Sequence, residues 1–367
     1  MLRYGIIGSG NMGQEHIRYL KMLPDAQVTA IADPDREMRQ AAASLAGPRT
    51  QVFEDYHDLL AAGLVDALVI ASPNQTHADI LLDVLPANLP ILAQKPLCTS
   101  AEDCQRVLKA AAGRTAPVWV AMEYRYMPPV TRLIEEVHKG TIGKLHMLSL
   151  REHRYPFLQK VSDWNRFARN TGGTMVEKCC HFFDLMRLIT AAEPVRLYAS
   201  GGQAVNHLDE RYDGETPDII DNAFVIVDFD NGVRACLDLC MFAETSRDQE
   251  EIVAVGDSGK IECGIPSSTV TIGLRESDRL EHIPIPIDAG LLAAGHHHGS
   301  TFFQHKQFFD MVHSGGTPDV SLEDGLKAVA MGAAAETSIR SGLPVRFTGD
   351  LDGGFATAGA EAAIQAV

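Results

Sequence analysis

A glycine-rich segment near the start of the chain constrains its fold more than any other feature. An apolar run, Leu2 to Ile7, predicts a buried strand, and a helical pattern that extends through Leu23 follows the segment. Between them lies Gly8-Ser9-Gly10-Asn11-Met12-Gly13, which is the Gly-x-Gly-x-x-Gly pattern in a strand–turn–helix context. In that context Gly8 permits a tight turn, Gly10 lets a pyrophosphate approach the backbone, and Gly13 lets the helix pack closely on the strand. We therefore predict that all six residues contact a bound dinucleotide.

An acidic residue supports this interpretation, because glycines alone indicate only a turn. A second apolar run, Val28 to Ala32, ends at Asp33, which lies 20 residues beyond Gly13. An acid at this distance binds the adenosine ribose hydroxyls of a dinucleotide. Its carboxylate would repel a 2′-phosphate, so the sequence predicts NAD rather than NADP. Asp33 is alternatively a plain turn residue in Asp33-Pro34-Asp35, but the preceding glycines favour the binding role.

The next part of the chain alternates between strand and helix patterns up to Met122. Such alternation predicts a doubly wound parallel sheet, a Rossmann domain over residues 1–122. Polar residues follow the strands at their carboxyl ends, and these ends share one crevice in a parallel sheet. The polar residues predicted to complete the cofactor site are Ser72, Pro73, Asn74, His77, Gln94 and Lys95.

These motifs, in this order, resemble the Gfo/Idh/MocA oxidoreductases, the family of glucose–fructose oxidoreductase and inositol dehydrogenase. That family usually has Glu-Lys-Pro where this chain has Gln94-Lys95-Pro96. The resemblance implies that Lys95 is catalytic. The family also has Gly-Gly-Gly followed by Asp-x-Gly-x-His-x-x-Asp, which corresponds here to Gly172-Gly173-Thr174 and to the stretch from Glu177 to Asp184. His181 then occupies the catalytic histidine position, and Glu177 replaces the family aspartate.

The residues of that second motif point to the same chemistry. A helix is predicted from Thr174 to Ile189, and on it Glu177, His181 and Asp184 share one face of an otherwise apolar element. Buried charge is costly unless it is paired, so the face is either a packed carboxylate–histidine pair or a site. As a site, His181 is the general base for a hydroxyl proton, Lys95 stabilises the alkoxide, and Glu177 tunes the imidazole or binds a substrate hydroxyl.

Beyond Met122 the pattern changes to longer alternating runs with an Asn231-Gly232 hairpin signal. These predict an α+β domain over residues 123–347 with a large, mostly antiparallel open sheet, followed by a tail over residues 348–367. The resemblance implies a homodimer or homotetramer formed through the open face of this sheet.

The substrate site is predicted along residues 152–169, where polar groups alternate with aromatic ones. That mixture suits a carbohydrate or polyol, although for most of these residues a surface loop explains the pattern equally well. The predicted substrate-binding residues are Glu123, His153, Trp164, Arg166, Lys178 and His181.

Composition excludes several other classes. Against 48 acidic residues there are 32 Lys and Arg, a net charge of −16, which argues against a nucleic-acid binder and a polybasic membrane-surface protein. Seven scattered cysteines lack zinc-type pairing and predict free thiols in a reducing compartment. With no signal-peptide pattern at the N-terminus, we expect a cytoplasmic enzyme. The tract His296-His297-His298 is predicted to be a polar loop and not a metal site.

Three functions remain open at this stage. The first is an NAD-dependent dehydrogenase that acts on a secondary alcohol of a sugar, inositol or sugar acid. The second is an NAD-dependent glycosidase that oxidises a ring hydroxyl transiently, eliminates the aglycone and returns the hydride. The third is a non-catalytic NAD-linked regulatory protein, which the presence of both Lys95 and His181 disfavours. The acidic net charge favours a neutral substrate over an anionic one.

Overall fold

The computed structural model describes residues 1–277 and 279–347, so the predicted tail over residues 348–367 lies outside the described residues. The chain forms two compact units. Unit 1 comprises Met1–Tyr126, Gln159–Trp164 and Asp288–Val329. Unit 2 comprises Met127–Leu158, Asn165–Ile287 and, among the described residues, 330–347.

Unit 1 is built on a six-stranded parallel sheet in the order β3-β2-β1-β4-β5-β6. Its strands are β1 (Leu2–Ile7), β2 (Ala26–Ala32), β3 (Gln51–Phe53), β4 (Ala67–Ile70), β5 (Ile91–Gln94) and β6 (Val118–Ala121). Its first helices are α1 (Asn11–Leu20), α2 (Arg36–Ala46), α3 (Tyr56–Ala61), α4 (His77–Val84) and α5 (Ala101–Ala111). The predicted doubly wound sheet is confirmed.

The strand order reverses between β1 and β4, which are neighbours in the sheet although β2 and β3 lie between them in sequence. In open α/β sheets this reversal leaves a crevice at the carboxyl ends of the two strands, and ligands bind there. The glycine segment follows β1 and the Ser72-Pro73-Asn74 segment follows β4, so both predicted loops border the crevice. Ile6, Leu68 and Val69 are fully buried in the sheet beneath it.

Unit 2 is built on a nine-stranded sheet in the order β14-β13-β12-β11-β7-β10-β9-β8-β15. Its strands are β7 (Leu145–His153), β8 (Pro194–Gly202), β9 (Asn222–Phe229), β10 (Arg234–Cys240), β11 (Glu250–Gly256), β12 (Gly259–Ile265), β13 (Thr269–Leu274), β14 (Leu280–Pro284) and β15 (Val345–Arg346). Its helices include α6 (Pro128–His138), α7 (Ala168–Thr171), α8 (Thr174–Glu177) and α9 (Cys180–Thr190). Only β7 and β10 pair in parallel among these strands, so the predicted mostly antiparallel sheet is confirmed.

The two faces of this sheet differ in the way that strand alternation requires. Leu148 and Leu150 on β7 are buried, whereas Met147 on the same strand is 60% exposed. Phe224 and Ile226 on β9 are also largely exposed, at 67% and 52%. The predicted open face therefore carries large apolar side chains.

A late segment of the chain returns to unit 1. It contains α10 (Ala289–Ala294), α11 (Ser300–Ser314) and the start of α12 (Leu322–Ser341). The Val120 amide on β6 donates a 3.0 Å hydrogen bond to the carbonyl of Val320, and the Arg125 guanidinium donates one of 2.8 Å to the carbonyl of Asp319. These long-range bonds explain why the compact units differ from the sequence division into 1–122 and 123–347. None of the described helices is long and apolar enough to span a bilayer.

Candidate active site

The three glycines of the first motif play different parts in unit 1. Gly8 has a φ of +87°, and a Cβ there would lie 2.4 Å from the Ser72 nitrogen. A Cβ on Gly13 would lie 2.2 Å from the carbonyl oxygen of Gly8, so α1 can approach the turn only because this residue is glycine. A Cβ on Gly10 would meet no atom within 4 Å. The open space at Gly10 is where the motif predicts that the pyrophosphate approaches the backbone.

Asp33 is held beside the glycine turn by three hydrogen bonds. Its Oδ2 accepts from the Ser9 amide at 2.6 Å and from the Ser9 hydroxyl at 3.1 Å, and its Oδ1 accepts from the Asp35 amide at 2.8 Å. The side chain therefore serves both as a turn residue and as a fixed carboxylate at the end of β2. The turn interpretation is thereby confirmed, and the ribose-binding role of Asp33 stays a prediction.

The His77 ring contacts both the loop after β4 and the loop after β5. Its Nδ1 lies 2.8 Å from the carbonyl oxygen of Pro96, and its Nε2 lies 3.0 Å from that of Ser72. Burial lowers the pKa of His77, although the two carbonyls partly oppose that shift. The ring is only 1% exposed, so it positions the two loops.

Asn74 follows β4 and carries a buried amide. Its Nδ2 is buried and has no hydrogen-bond partner within residues 1–277 and 279–347. A buried donor without an acceptor is costly unless a ligand accepts from it. The open space at Gly10, the fixed carboxylate of Asp33 and the Asn74 amide together fit a dinucleotide.

The predicted helix from Thr174 to Ile189 is divided in unit 2. Helix α8 ends at Glu177 and α9 begins at Cys180, so Glu177 does not share a continuous helical face with His181. At the break, the Lys178 ammonium lies 2.8 Å from Glu152 Oε1 on β7. The Cys180 thiol lies 3.6 Å from the Glu177 carbonyl oxygen and donates to it. These two contacts stabilise a geometry that the residue spacing did not predict.

The start of α8 depends on the glycine pair before it. Gly172 and Gly173 have φ values of +81° and +89°, and a Cβ on Gly173 would lie 2.2 Å from Glu336 Oε1. The same Glu336 oxygen accepts a 3.0 Å hydrogen bond from the Met175 amide and so caps the short helix. Burial raises the pKa of Glu336, and the Met175 amide opposes that shift.

The titratable residues of the second motif lie in the interior of unit 2. Glu177, His181 and Asp184 are 7%, 1% and 0% exposed, within a stretch whose other side chains are mainly apolar. A buried imidazole and buried carboxylates in one segment are the residue types that a general base and its modulators require. The interpretation as an active site and the interpretation as a packed pair both require this burial.

Comparison with known proteins decides the family. Profiles of one oxidoreductase family match most of the chain: its NAD-binding Rossmann fold matches residues 2–122, and its C-terminal alpha/beta domain matches residues 134–347. The chain belongs to the Gfo/Idh/MocA family of oxidoreductases. The resemblance inferred from the motifs is thereby confirmed, and with it the NAD-binding character of the first domain.

Three similar proteins each match at least 94% of the chain. The myo-inositol 2-dehydrogenase of Thermotoga maritima is 28% identical over 349 residues, which are 94% of this chain and 98% of that protein. An oxidoreductase domain protein from Kribbella flavida has a TM-score of 0.84 at 20% identity, covering 95% of this chain and 99% of that one. Levoglucosan dehydrogenase in complex with NADH and levoglucosan has a TM-score of 0.82 at 19% identity, covering 94% and 99%. The two structural matches show a shared fold.

Three predicted substrate residues of this Gfo/Idh/MocA member have protein partners in unit 2. Lys178 is 4% exposed and faces Glu152, and the Arg166 guanidinium donates a 2.9 Å hydrogen bond to Glu210. His153 lies on the opposite face of β7 from Glu152, with its Nε2 3.2 Å from Asp238. Their substrate roles remain predictions.

The other two candidates belong to unit 1. Trp164 is half-buried, and Glu123 is 1% exposed in a short 3₁₀ turn, Glu123–Tyr126, after β6. A Glu123 oxygen lies 3.8 Å from His297 Nε2. Their substrate roles also remain predictions.

Sequence reasoning missed a buried ion pair in unit 1 that fixes the histidine tract. Glu15 on α1 accepts hydrogen bonds from His297 Nδ1 at 2.8 Å and from the Thr301 hydroxyl at 3.0 Å. Burial acts to raise the pKa of Glu15, but His297 and Thr301 outweigh it and lower the pKa to about 2. No local signal pointed to this pair, since Glu15 has an ordinary helical position. No group of three or more metal-ligating side chains occurs in the described ranges.

Proposed function

We propose that this protein is an NAD-dependent dehydrogenase that oxidises a secondary alcohol of a sugar, an inositol or a related polyol. The observation that carries the proposal is the crevice of unit 1, where open space at Gly10, the fixed Asp33 carboxylate and the Asn74 amide fit a dinucleotide. The family supports the class of reaction. Its inositol-specific relatives support the class of substrate.

The residues of unit 1 would bind NAD in three places. Backbone amides of the Gly8–Gly13 turn and the start of α1 would hold the pyrophosphate. Asp33 would bind the adenosine ribose hydroxyls and would repel the 2′-phosphate of NADP. Asn74 and Lys95, after β4 and β5, would hold the nicotinamide end. When bound, NAD supplies the hydride-accepting ring, and the protein supplies orientation and electrostatic field.

The family resemblance assigns the proton chemistry to three residues. His181 takes the proton of the reacting hydroxyl, because a neutral imidazole is the side chain best suited to this role near neutral pH. The Lys95 ammonium stabilises the negative charge that develops on the oxygen. Glu177 either orients the imidazole or binds a neighbouring substrate hydroxyl.

The charges of the site favour a neutral substrate. Lys178 and Arg166 were the cations best suited to attract an anionic sugar, and they lie against Glu152 and Glu210. The net charge of −16 also repels anions at long range. An inositol or uncharged sugar is therefore favoured over a sugar acid.

The resemblance to the family also supports a homo-oligomer, which we propose forms through the open face of the unit 2 sheet. Light scattering of the purified protein tests this. A dimer or tetramer is expected, and a monomer at all concentrations would exclude it.

A substrate panel tests the reaction class. Inositols, neutral sugars, sugar acids and aryl glycosides are incubated with NAD while NADH and released aglycone are both measured. Net NADH with an intact glycosidic bond is expected. Aglycone release without net NADH would instead indicate a glycosidase, and absence of NAD binding by calorimetry would overturn the proposal.

Two substitutions test the assigned roles. We expect His181→Ala and Lys95→Ala each to lose turnover while retaining NAD binding by calorimetry. The controls are His57→Ala and Lys306→Ala, whose side chains are 58% and 57% exposed. Turnover at the wild-type rate in either His181→Ala or Lys95→Ala would refute that residue's role.

A further inference from the structure

Three buried polar side chains form a hydrogen-bonded row behind Lys95, which we call the Gln94 chain: Gln94, His16 and His305. Gln94 Nε2 lies 2.9 Å from His16 Nε2, and His16 Nδ1 lies 2.7 Å from His305 Nε2. Gln94 is 4% exposed, and both histidines are 0% exposed. The sequence predicted that Gln94 contacts the cofactor, but the structure directs its side chain into the interior of unit 1.

One backbone group sets the direction of every bond in the Gln94 chain. The Lys95 amide can only donate, and it lies 3.0 Å from Gln94 Oε1, so that oxygen accepts. The other end of the Gln94 amide is therefore its NH₂ group, which donates to His16 Nε2. His16 must then carry its proton on Nδ1 and donate to His305 Nε2. His305 in turn must carry its proton on Nδ1.

Both rings are neutral in this arrangement, in agreement with their environment. Burial lowers the pKa of His16 to about 4, with Glu15 opposing the shift and His297 adding to it. Burial, with the neighbouring His16, also lowers the pKa of His305 well below its usual value. A neutral amide at position 94 is compatible with two neutral imidazoles, whereas a carboxylate there would bring a negative charge into the same interior.

We propose that the Gln94 chain positions Lys95, with Gln94 holding the lysine backbone and the two histidines fixing the orientation of the Gln94 amide. The three residues lie on β5, α1 and α11, so the row ties the loop that carries Lys95 to the helix that follows the glycine turn. Gln94, His16 and His305 are thus positioning residues. The role of Lys95 in catalysis rests on the proposed function.

Two substitutions at position 94 separate this proposal from a packing role. Gln94→Glu retains an oxygen that can accept from the Lys95 amide but removes the donor to His16. The introduced carboxylate can only accept from His16, so His16 must carry a proton on Nε2 in this variant. Gln94→Met has a similar length but removes both hydrogen bonds.

Nitrogen NMR of the protein labelled with ¹⁵N-histidine measures the tautomers. We expect Nδ1–H alone on both rings in the wild type and a proton on His16 Nε2 in Gln94→Glu. Hydrogen exchange of the Lys95 amide should be slow in both proteins and faster in Gln94→Met. Wild-type tautomers in Gln94→Glu, or a protected Lys95 amide in Gln94→Met, would overturn the proposal.

Kinetics with the best polyol from the panel tests the positioning. In Gln94→Met we expect kcat to fall about tenfold, the size of one net hydrogen bond, while KM for NAD changes by less than about twofold. Gln94→Glu should restore kcat, and the exposed control Gln40→Met should leave it unchanged. An unchanged kcat in Gln94→Met, despite faster hydrogen exchange of the Lys95 amide, would also overturn the proposal. If no polyol is oxidised, the proposed function fails, while the NMR and exchange results still decide whether the Gln94 chain holds Lys95.

Discussion

Alanine at Gly10 and at Gly13 should have opposite effects, because one position faces open space and the other faces backbone. In Gly13→Ala the added methyl would lie 2.2 Å from the Gly8 carbonyl oxygen and 3.1 Å from its carbon. Backbone atoms cannot rotate aside, and such overpacking costs about 1–3 kcal/mol. The higher helix propensity of alanine compared with glycine adds back about 0.5–1 kcal/mol of folding stability. We therefore expect a net loss of about 1–2 kcal/mol of folding stability.

Gly10→Ala should leave the fold intact. Gly10 has φ −67° and ψ −158°, which suit any residue, and its added methyl would meet no atom within 4 Å. Its stability should stay unchanged or rise by about 0.5 kcal/mol, since alanine restricts the unfolded chain. The methyl would however occupy the space proposed for the pyrophosphate. Loss of one charge-assisted hydrogen bond weakens NAD binding by about 10- to 100-fold.

Urea denaturation and calorimetric titration with NAD measure the two quantities separately. Gly202→Ala is the matched control, because Gly202 lies in unit 2 and a Cβ there would also meet no atom within 4 Å. It should change stability no more than Gly10→Ala does and should leave NAD affinity unchanged. Wild-type NAD affinity in Gly10→Ala would refute the placement of the pyrophosphate, and unchanged stability in Gly13→Ala would refute its packing role.

Three further substitutions test charged residues in each unit. Asp33→Asn should weaken NAD binding about tenfold and raise kcat/KM for NADP relative to NAD, because it removes a carboxylate that repels the 2′-phosphate. Initial rates with both cofactors measure the ratio of the two kcat/KM values. An unchanged ratio would contradict the assigned role of Asp33. Lys178→Met leaves Glu152 buried with fewer cationic partners and should lower the free energy of unfolding, measured by urea denaturation, by about 3 kcal/mol. The double variant Lys178→Met with Glu152→Gln should recover most of that loss. Additive losses in the double variant would exclude a coupled pair. The pKa of Glu15 is lowered from 4.5 to about 2, so its stabilisation is complete above pH 4.5 and is lost as the pH falls towards 2. As the pH is lowered, the urea midpoint should therefore fall less steeply for Glu15→Gln than for the wild type. Parallel curves of midpoint against pH would exclude the ion pair.

The local sequence was sufficient for the first sheet and the loops that border its crevice. Leu2–Ile7 was predicted with the bounds that the structure has, and the glycine turn and Asp33 follow strands as expected. Strands β1, β2 and β3 are consecutive in the chain and pair with their sequence neighbours in the sheet. Strand–turn–helix units of this kind leave the backbone few alternatives, so their structure can be predicted from the residue pattern without tertiary information.

The site in the second unit was less predictable. His181 and Glu177 were identified from their motif, but the regular spacing predicted one helix where the structure has two. The break depends on Glu152 and Glu336, which are remote in sequence from Lys178 and Met175. A periodic pattern reports only which positions are apolar, so it cannot report a distant carboxylate that stabilises a different backbone path.

Residue pattern and the family resemblance together predicted the chemistry of this protein: a dinucleotide turn, an acid for the ribose, and a lysine and a histidine at family positions. Long-range contacts specified how those groups are held. Asp288–Val329 returns to unit 1, where His297 meets Glu15 and His305 extends the row from Gln94 through His16. Burial explains the difference, because a polar side chain inside a protein must find a partner, and that partner is determined by the packing of elements far apart in sequence.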